Sequence, residues 1–188
     1  MVCASIGLDT THDTHDTSKS HMQSNPSKKQ NSLFGLIGWL ALCFAASAIG
    51  ALATSQAETV YAGMTQPEWA PSGAVFGPVW MLLYALMGIA AWLVWRSGGF
   101  IRHGNALGLF IIQLGVNTLW SWLFFAWHEG VWAFADIILL WLLIVAVILD
   151  FWRVRPLAGL LLLPYLAWVG FAAVLSFEMW QLNPGILG

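Results

Sequence analysis

Apolar residues fall into five long runs separated by short polar stretches. A membrane-spanning helix needs about 20 consecutive, mostly apolar residues. Residues 33–53, 75–95 and 106–127 meet that length without a single charge. Residues 131–149 contain only Asp136, and residues 157–177 are uncharged but carry Pro164 in their interior. In hydrocarbon the backbone must satisfy its own hydrogen bonds, so the runs predict an all-α membrane protein, a bundle of five transmembrane helices. The connecting loops are short, so neighbouring spans run antiparallel. Pro164 has no N–H to give, which predicts a kink or local opening in the fifth span.

The first 32 residues are polar, without apolar periodicity, and are expected to form a disordered tail. His12, Asp13, His15 and Asp16 are a weak metal set there, weighed against an unstructured solvated tail; Met22 is an alternative start. The first apolar run is too long for a cleaved signal peptide and has no small-residue cleavage site, so it reads as a retained span.

Composition agrees with the pattern. The chain is 59% hydrophobic and only 9% charged, against about 25% charged in soluble domains, and its mean hydropathy is +0.74. A net charge of -2 argues against a nucleic-acid partner. Cys3 and Cys43 make neither a metal spacing nor a disulfide framework. All seven basic residues (Lys19, Lys28, Lys29, Arg96, Arg102, Arg153 and Arg155) fall on one side of a five-span topology. The other side carries Glu58, Glu68, Glu129 and Glu178. This bias predicts the N-terminus inside and the C-terminus outside, and four or six spans would scatter it.

Helical spacing sorts the polar residues inside the spans. In the third span Gln113, Asn117 and Ser121 recur at i, i+4 and i+8, one stripe that should face the bundle interior. Gly104, Gly108 and Gly115 form a second stripe, roughly opposite at about 100° per residue. Small residues permit close helix approach, so this stripe fits either packing within one chain or a homodimer interface. The second span places Phe76, Trp80, Tyr84 and Met87 on one side, and the fifth places Tyr165, Trp168, Ala172 and Ser176 on one side. Each stripe alone reads as packing; three inward faces mixing rings with a few polar groups are the makeup of a ligand pocket between helices. Asp136 is either functional, as an intramembrane acid, or a cap for the start of its helix. Asp150 sits at a span edge beside Arg153.

Residues 67–80, PEWAPSGAVFGPVW, hold three prolines and two tryptophans at the mouth of the second span. Pro67 and Pro71 restrict the loop and lower the entropy lost on ordering it. Pro78 fits the first turns of a helix. Trp69 can anchor the loop at the interface and Trp80 lies just below. The stretch reads as the lid and wall of a pocket for a flat, apolar ligand.

These residues resemble the TspO/MBR family, the tryptophan-rich sensory proteins that include the mitochondrial translocator protein, or peripheral-type benzodiazepine receptor. The resemblance rests on Pro67-Glu68-Trp69-Ala70-Pro71, Phe76-Gly77-Pro78-Val79-Trp80, the Gln113, Asn117, Trp120 and Ser121 pattern, and Pro164, Tyr165, Trp168, Phe171 and Ala172. It covers about residues 33 to 184. Val60, Gln66, Ser72 and Ser176 stand where the family often has Trp, Lys, Pro and Asn. No basic residue follows Tyr165, so the sterol-recognition pattern of animal members is incomplete.

The resemblance implies a five-helix bundle, often homodimeric, that takes porphyrin, haem and lipophilic drug-like molecules in a pocket under the first loop, with no obligatory cofactor and no resident metal. It implies ligand-binding roles for Tyr61, Trp69, Phe76, Trp80, Tyr84, Gln113, Asn117, Trp120, Ser121, Trp168, Ala172 and Ser176. His128 is a weak candidate for haem iron, being in the loop between spans three and four. Three functions compete. A tetrapyrrole-binding sensor or regulator fits best, because no nucleophile, base and orienter constellation is present. A light- and oxygen-dependent porphyrin-degrading enzyme would use Trp80 and Trp168 as oxidisable rings. A transporter is disfavoured by the lack of an internal repeat and the few intramembrane charges.

Overall fold

A computed structural model describes residues 26–54 and 57–188. The expected tail of residues 1–25, with its His12, Asp13, His15 and Asp16 set, lies outside the described residues. Helix α1 (Pro26–Ala53) begins upstream of the first apolar run. A short α2 (Ala57–Gly63) and a 3-10 turn (Gly73–Val75) lie in the first loop. Then come α3 (Phe76–Trp95), α4 (Gly99–Ser121), a π-helical turn (Trp122–Ala126), α5 (Gly130–Val154), α6 (Pro156–Leu161), α7 (Leu163–Leu182) and α8 (Pro184–Leu187). Among the described residues five helical stretches are long and apolar enough to cross a membrane: Ser32–Ala53, Gly73–Trp95, Gly99–Ala126, Gly130–Val154 and Pro156–Leu182. The all-α five-span architecture is therefore as the apolar pattern predicts.

The fifth span is two helices. The chain breaks at Leu162, and Pro164 occupies the first turn of α7, where its missing N–H breaks no helical bond. The expected opening is thus a clean joint between α6 and α7. Pro78 likewise sits in the first turn of α3.

The helices form a ring in the order α1, α3, α6 with α7, α5 and α4, closed by contact of α4 with α1. Gly88 allows the close approach of α1 and α3, since a Cβ there would stand 3.2 Å from Leu40 Cα. On α5 one stripe (Ala133, Asp136, Ile137, Leu140, Ile144, Val147 and Phe151) is buried, while Trp132, Leu139 and Leu142 point outward, as lipid requires. At the arginine-bearing end α3 packs closely on α6. Toward the first loop, α3 and α7 meet through rings instead: Trp80 on Tyr165 with centroids 6.2 Å apart, and Phe76 on Trp168 at 5.8 Å. The core divides accordingly into a large cluster around Met87, Phe110 and Phe151 and a smaller one around Tyr61, Phe124, Leu175 and Met179.

Candidate ligand cavity

Between these two clusters lies a cavity of about 520 Å³, within the size range of small-molecule sites. Ser47, Gly50 and Ala51 of α1, with Thr54 just beyond its end, form one wall. Phe76, Gly77, Trp80, Met81 and Tyr84 of α3 form the next, at the helical spacing that puts Phe76, Trp80 and Tyr84 on one face. Asn117, Trp120 and Ser121 of α4 and Phe124 and Phe125 of the π turn face them. Ala172, Leu175, Ser176 and Met179 of α7 complete the ring, and Tyr61, Gly73 and Ala74 of the first loop form the roof. No Asp, Glu, Lys, Arg or His is among these lining residues. The arrangement can bind by ring contact, area burial and neutral hydrogen bonds.

The floor is a buried hydrogen-bond chain. Tyr84 Oη donates to Asn117 Oδ1 at 2.5 Å, Asn117 Nδ2 donates to Tyr165 Oη at 2.9 Å, and Tyr165 Oη donates to Gln113 Oε1 at 3.0 Å. Each hydroxyl proton is used once, so the chain has one direction. It holds Asn117 at the cavity edge with its second N–H still available. Trp120 stacks on Phe124 with centroids 5.4 Å apart, and its indole N–H is fully buried with no partner among the described residues.

The roof is fastened to the end of α7. Asn183 Oδ1 accepts the Thr65 N–H at 2.8 Å, and its Nδ2 donates to Thr65 O at 2.9 Å and Met179 O at 2.8 Å. The Trp69 indole donates to Glu178 Oε2 at 3.2 Å, and its ring meets Phe171 edge-on at 5.7 Å. Within the loop, Tyr61 Oη donates to Pro71 O at 3.1 Å and Gln66 Nε2 donates to Tyr61 O at 2.7 Å. Burial pushes the Tyr61 hydroxyl above its ordinary pKa. Gln66 thus fastens the end of α2.

Nine of the twelve expected binding residues line the cavity: Tyr61, Phe76, Trp80, Tyr84, Asn117, Trp120, Ser121, Ala172 and Ser176. Three stand outside its lining. Gln113 ends the buried polar chain, Trp168 packs behind Phe76 and against Phe171, and Trp69 pins the roof from outside, 44% exposed. The contributions of α1, of Phe124 and Phe125, and of Met179 were missed. The α1 residues carry no distinctive chemistry, and the π turn that re-aims the two Phe rings has no local sequence mark.

Asp136 is buried, and its Oδ2 has no hydrogen-bond partner among the described residues. It is the seventh residue of α5, too deep to cap the free amides of the first turn, so the capping alternative does not hold. His128 is absent from the cavity lining; it adopts a left-handed φ of 58° while Glu129 N–H bonds Leu123 O at 2.9 Å, the closing bond of a helix stop. Among the described residues no atom from another element lies within 4 Å of where a Cβ would stand at Gly104, Gly108 or Gly115, so none of them packs on this stripe.

The TspO/MBR family profile matches residues 39–181. The translocator protein of Homo sapiens is 40% identical over 130 residues, 68% of this chain and 77% of that protein. The tryptophan-rich protein TspO of Chlorobaculum tepidum is 40% identical over 147 residues, 77% of this chain and 93% of its own. The tryptophan-rich sensory protein of Cereibacter sphaeroides is 36% identical over 145 residues, 77% of this chain and 89% of its own. With five spans in sequence, a roofed cavity between them and these matches along most of its length, the chain is an integral multi-pass membrane protein and belongs to the TspO/MBR family.

Proposed function

We propose that the protein is a membrane sensor or regulator whose cavity takes a tetrapyrrole, porphyrin or haem, as ligand rather than as an obligatory cofactor. One observation carries this reading: a roofed cavity walled by Phe76, Trp80, Tyr84, Trp120, Phe124 and Phe125, with no charged side chain in its lining. A flat macrocycle presents two large apolar faces to such walls. Burying about 200 Å² of apolar ligand surface contributes roughly 5 kcal/mol at ~25 cal/mol per Å², and ring contacts add to it. Lipophilic drug-like molecules suit the same walls. The partners of the macrocycle's polar edge are Asn117, Ser121 and Ser176.

The test is titration of the purified, dark-kept protein with protoporphyrin IX, followed by tryptophan quenching, alongside Trp80→Phe and Asn117→Ala. Saturable micromolar quenching weakened by both changes supports the reading, provided both variants keep their helical circular dichroism. Non-saturable quenching indifferent to both means the porphyrin only partitions into detergent, and the reading fails.

A second reading, light- and oxygen-dependent porphyrin degradation, draws on the surroundings of Trp80. Its ring lines the cavity and lies 5.7 Å from Tyr84 and 6.2 Å from Tyr165, measured between centroids. Those phenols can refill an oxidised indole. Illuminating the titrated samples separates the readings, since only the enzyme forms product in a light- and Trp80-dependent way.

The uncovered Gly104, Gly108 and Gly115 stripe favours a homodimer through α4, tested by cross-linking in bilayers against Gly108→Leu. The arginine bias favours the N-terminus inside and the C-terminus outside, tested by reporter fusions at each end.

A further inference from the structure

We propose that the arginine-bearing end of the bundle, opposite the cavity roof, holds a discrete site for the phosphate of an anionic phospholipid, built by Arg96, Arg102 and Arg155. Two of the three side chains reach two consecutive residues, Arg155 at Ser97 and Arg102 at Gly98, and Arg96 directly precedes that pair in the chain. The turn that carries them is fixed, with Ser97 N–H bonded to Val94 O at 3.0 Å and Gly98 N–H to Trp95 O at 3.3 Å. Arg155 Nε donates to Ser97 Oγ at 3.2 Å, and Ser97 Oγ donates to Leu93 O at 3.0 Å. This uses one of the five guanidinium N–H groups and leaves the outer pair of nitrogens free. The Arg96 guanidinium lies 4.6 Å over the Trp92 ring, which is itself held by its N–H bond to Ser32 O at 2.7 Å. The stem of Arg102 lies across Gly98, where a Cβ would stand 2.6 Å from Arg102 Cδ.

Among the described residues the one ion pair is Arg153 with Asp150, at 3.2 Å. Arg96, Arg102 and Arg155 therefore border the Ser97–Gly98 turn without an ion-paired carboxylate. The positive-inside bias requires basic residues in these loops but does not require them gathered. Gathered and unpaired, like charges repel unless an anion sits between them. Guanidinium forks match phosphate oxygens in bidentate geometry, and basic groups between helices at a membrane surface bind lipid head groups. The apolar neighbours select a lipid over a free anion. Phe100 is 52% exposed and Ile101 fully exposed directly after this turn, at the start of a span, where an acyl chain would lie.

The experiment is native mass spectrometry of the full chain in neutral detergent with phosphatidylglycerol, phosphatidylcholine or inorganic phosphate, with circular dichroism confirming the fold of each variant. The expected result is one phosphatidylglycerol retained per chain against an excess of phosphatidylcholine. The double variant Arg96→Gln with Arg155→Gln weakens retention roughly twenty-five-fold, about fivefold for each basic group near an anionic surface. Ser97→Ala keeps the net charge but releases Arg155, and weakens retention severalfold. Arg153→Gln, whose partner is Asp150, changes little. Equal retention of phosphatidylcholine overturns the site. So does a loss in Arg153→Gln as large as in the double variant, which indicates diffuse surface charge. Displacement of the lipid by inorganic phosphate at matching concentration overturns the lipid assignment.

Discussion

Replacing Asn183 with alanine should free the first loop from the end of α7. Asn183 makes three hydrogen bonds, two of them across to Thr65, and is 6% exposed. A typical intramolecular hydrogen bond contributes about 1 kcal/mol net. The two cross-links therefore hold the roof by about 2 kcal/mol, and the third, to Met179 O, orients the side chain that makes them. Water reaches the partly buried Thr65 groups once the roof loosens, which limits the loss. Opening should rise about thirtyfold, the equivalent of that 2 kcal/mol at 1.4 kcal/mol per factor of ten. Hydrogen exchange at the Thr65 amide reads this directly and needs no ligand. Asn183→Asp keeps the acceptor and loses the donor, so it should fall between alanine and wild type. Trp69→Phe, which removes one exposed bond to Glu178, should alter Thr65 exchange far less. If Thr65 exchanges at the wild-type rate in Asn183→Ala, the roof is held by its ring contacts alone and the reasoning is refuted.

Tyr84→Phe removes the donor to Asn117 Oδ1 in a buried setting and should cost about 1–3 kcal/mol; a melting temperature equal to wild type would contradict the polar chain. Gly88→Ala places a Cβ 2.8 Å from Leu40 Cδ2 and 3.2 Å from its Cα, an overpacking cost of about 1–3 kcal/mol, whereas Gly108→Ala, with open space there, should leave the detergent-solubilised monomer's melting temperature unchanged or slightly raised. Burial raises the Tyr61 pKa in the folded loop, so its contribution is complete below the ordinary value near 10 and is lost as pH rises beyond it. The stability gap between wild type and Tyr61→Phe should therefore narrow above about pH 10; a gap independent of pH excludes that linkage.

Much of this protein was legible in its apolar pattern, because hydrocarbon permits few backbone solutions. Five apolar runs of spanning length, with Asp136 the one charge among them, imply five helices in lipid. Period-four spacing then gave the inward faces: Phe76, Trp80 and Tyr84 on one helix, Asn117 and Ser121 on another, and Ala172 and Ser176 on a third all meet at the cavity. Helical geometry is local, so a face can be read without knowing its partner.

What a face touches is not local. Trp69 and Trp168 resemble Trp80 in sequence, yet they pin the roof and back the wall, because the loop path and the angle of α7 place them there. Asn183 looks like an ordinary residue beyond a span, and becomes the fastening of the roof only because the first loop returns to within 2.8 Å of it. The wall of Ser47, Gly50 and Ala51 on α1 with Thr54 after it was invisible because small residues define a cavity by the space they leave. The sequence by itself determined the spans, the inward stripes and the charge bias, all set by neighbours one or two turns apart. Only the tertiary structure decided which stripes enclose a void, which rings brace it and where three unpaired arginines gather, since these depend on residues distant in sequence that the packed helices bring together.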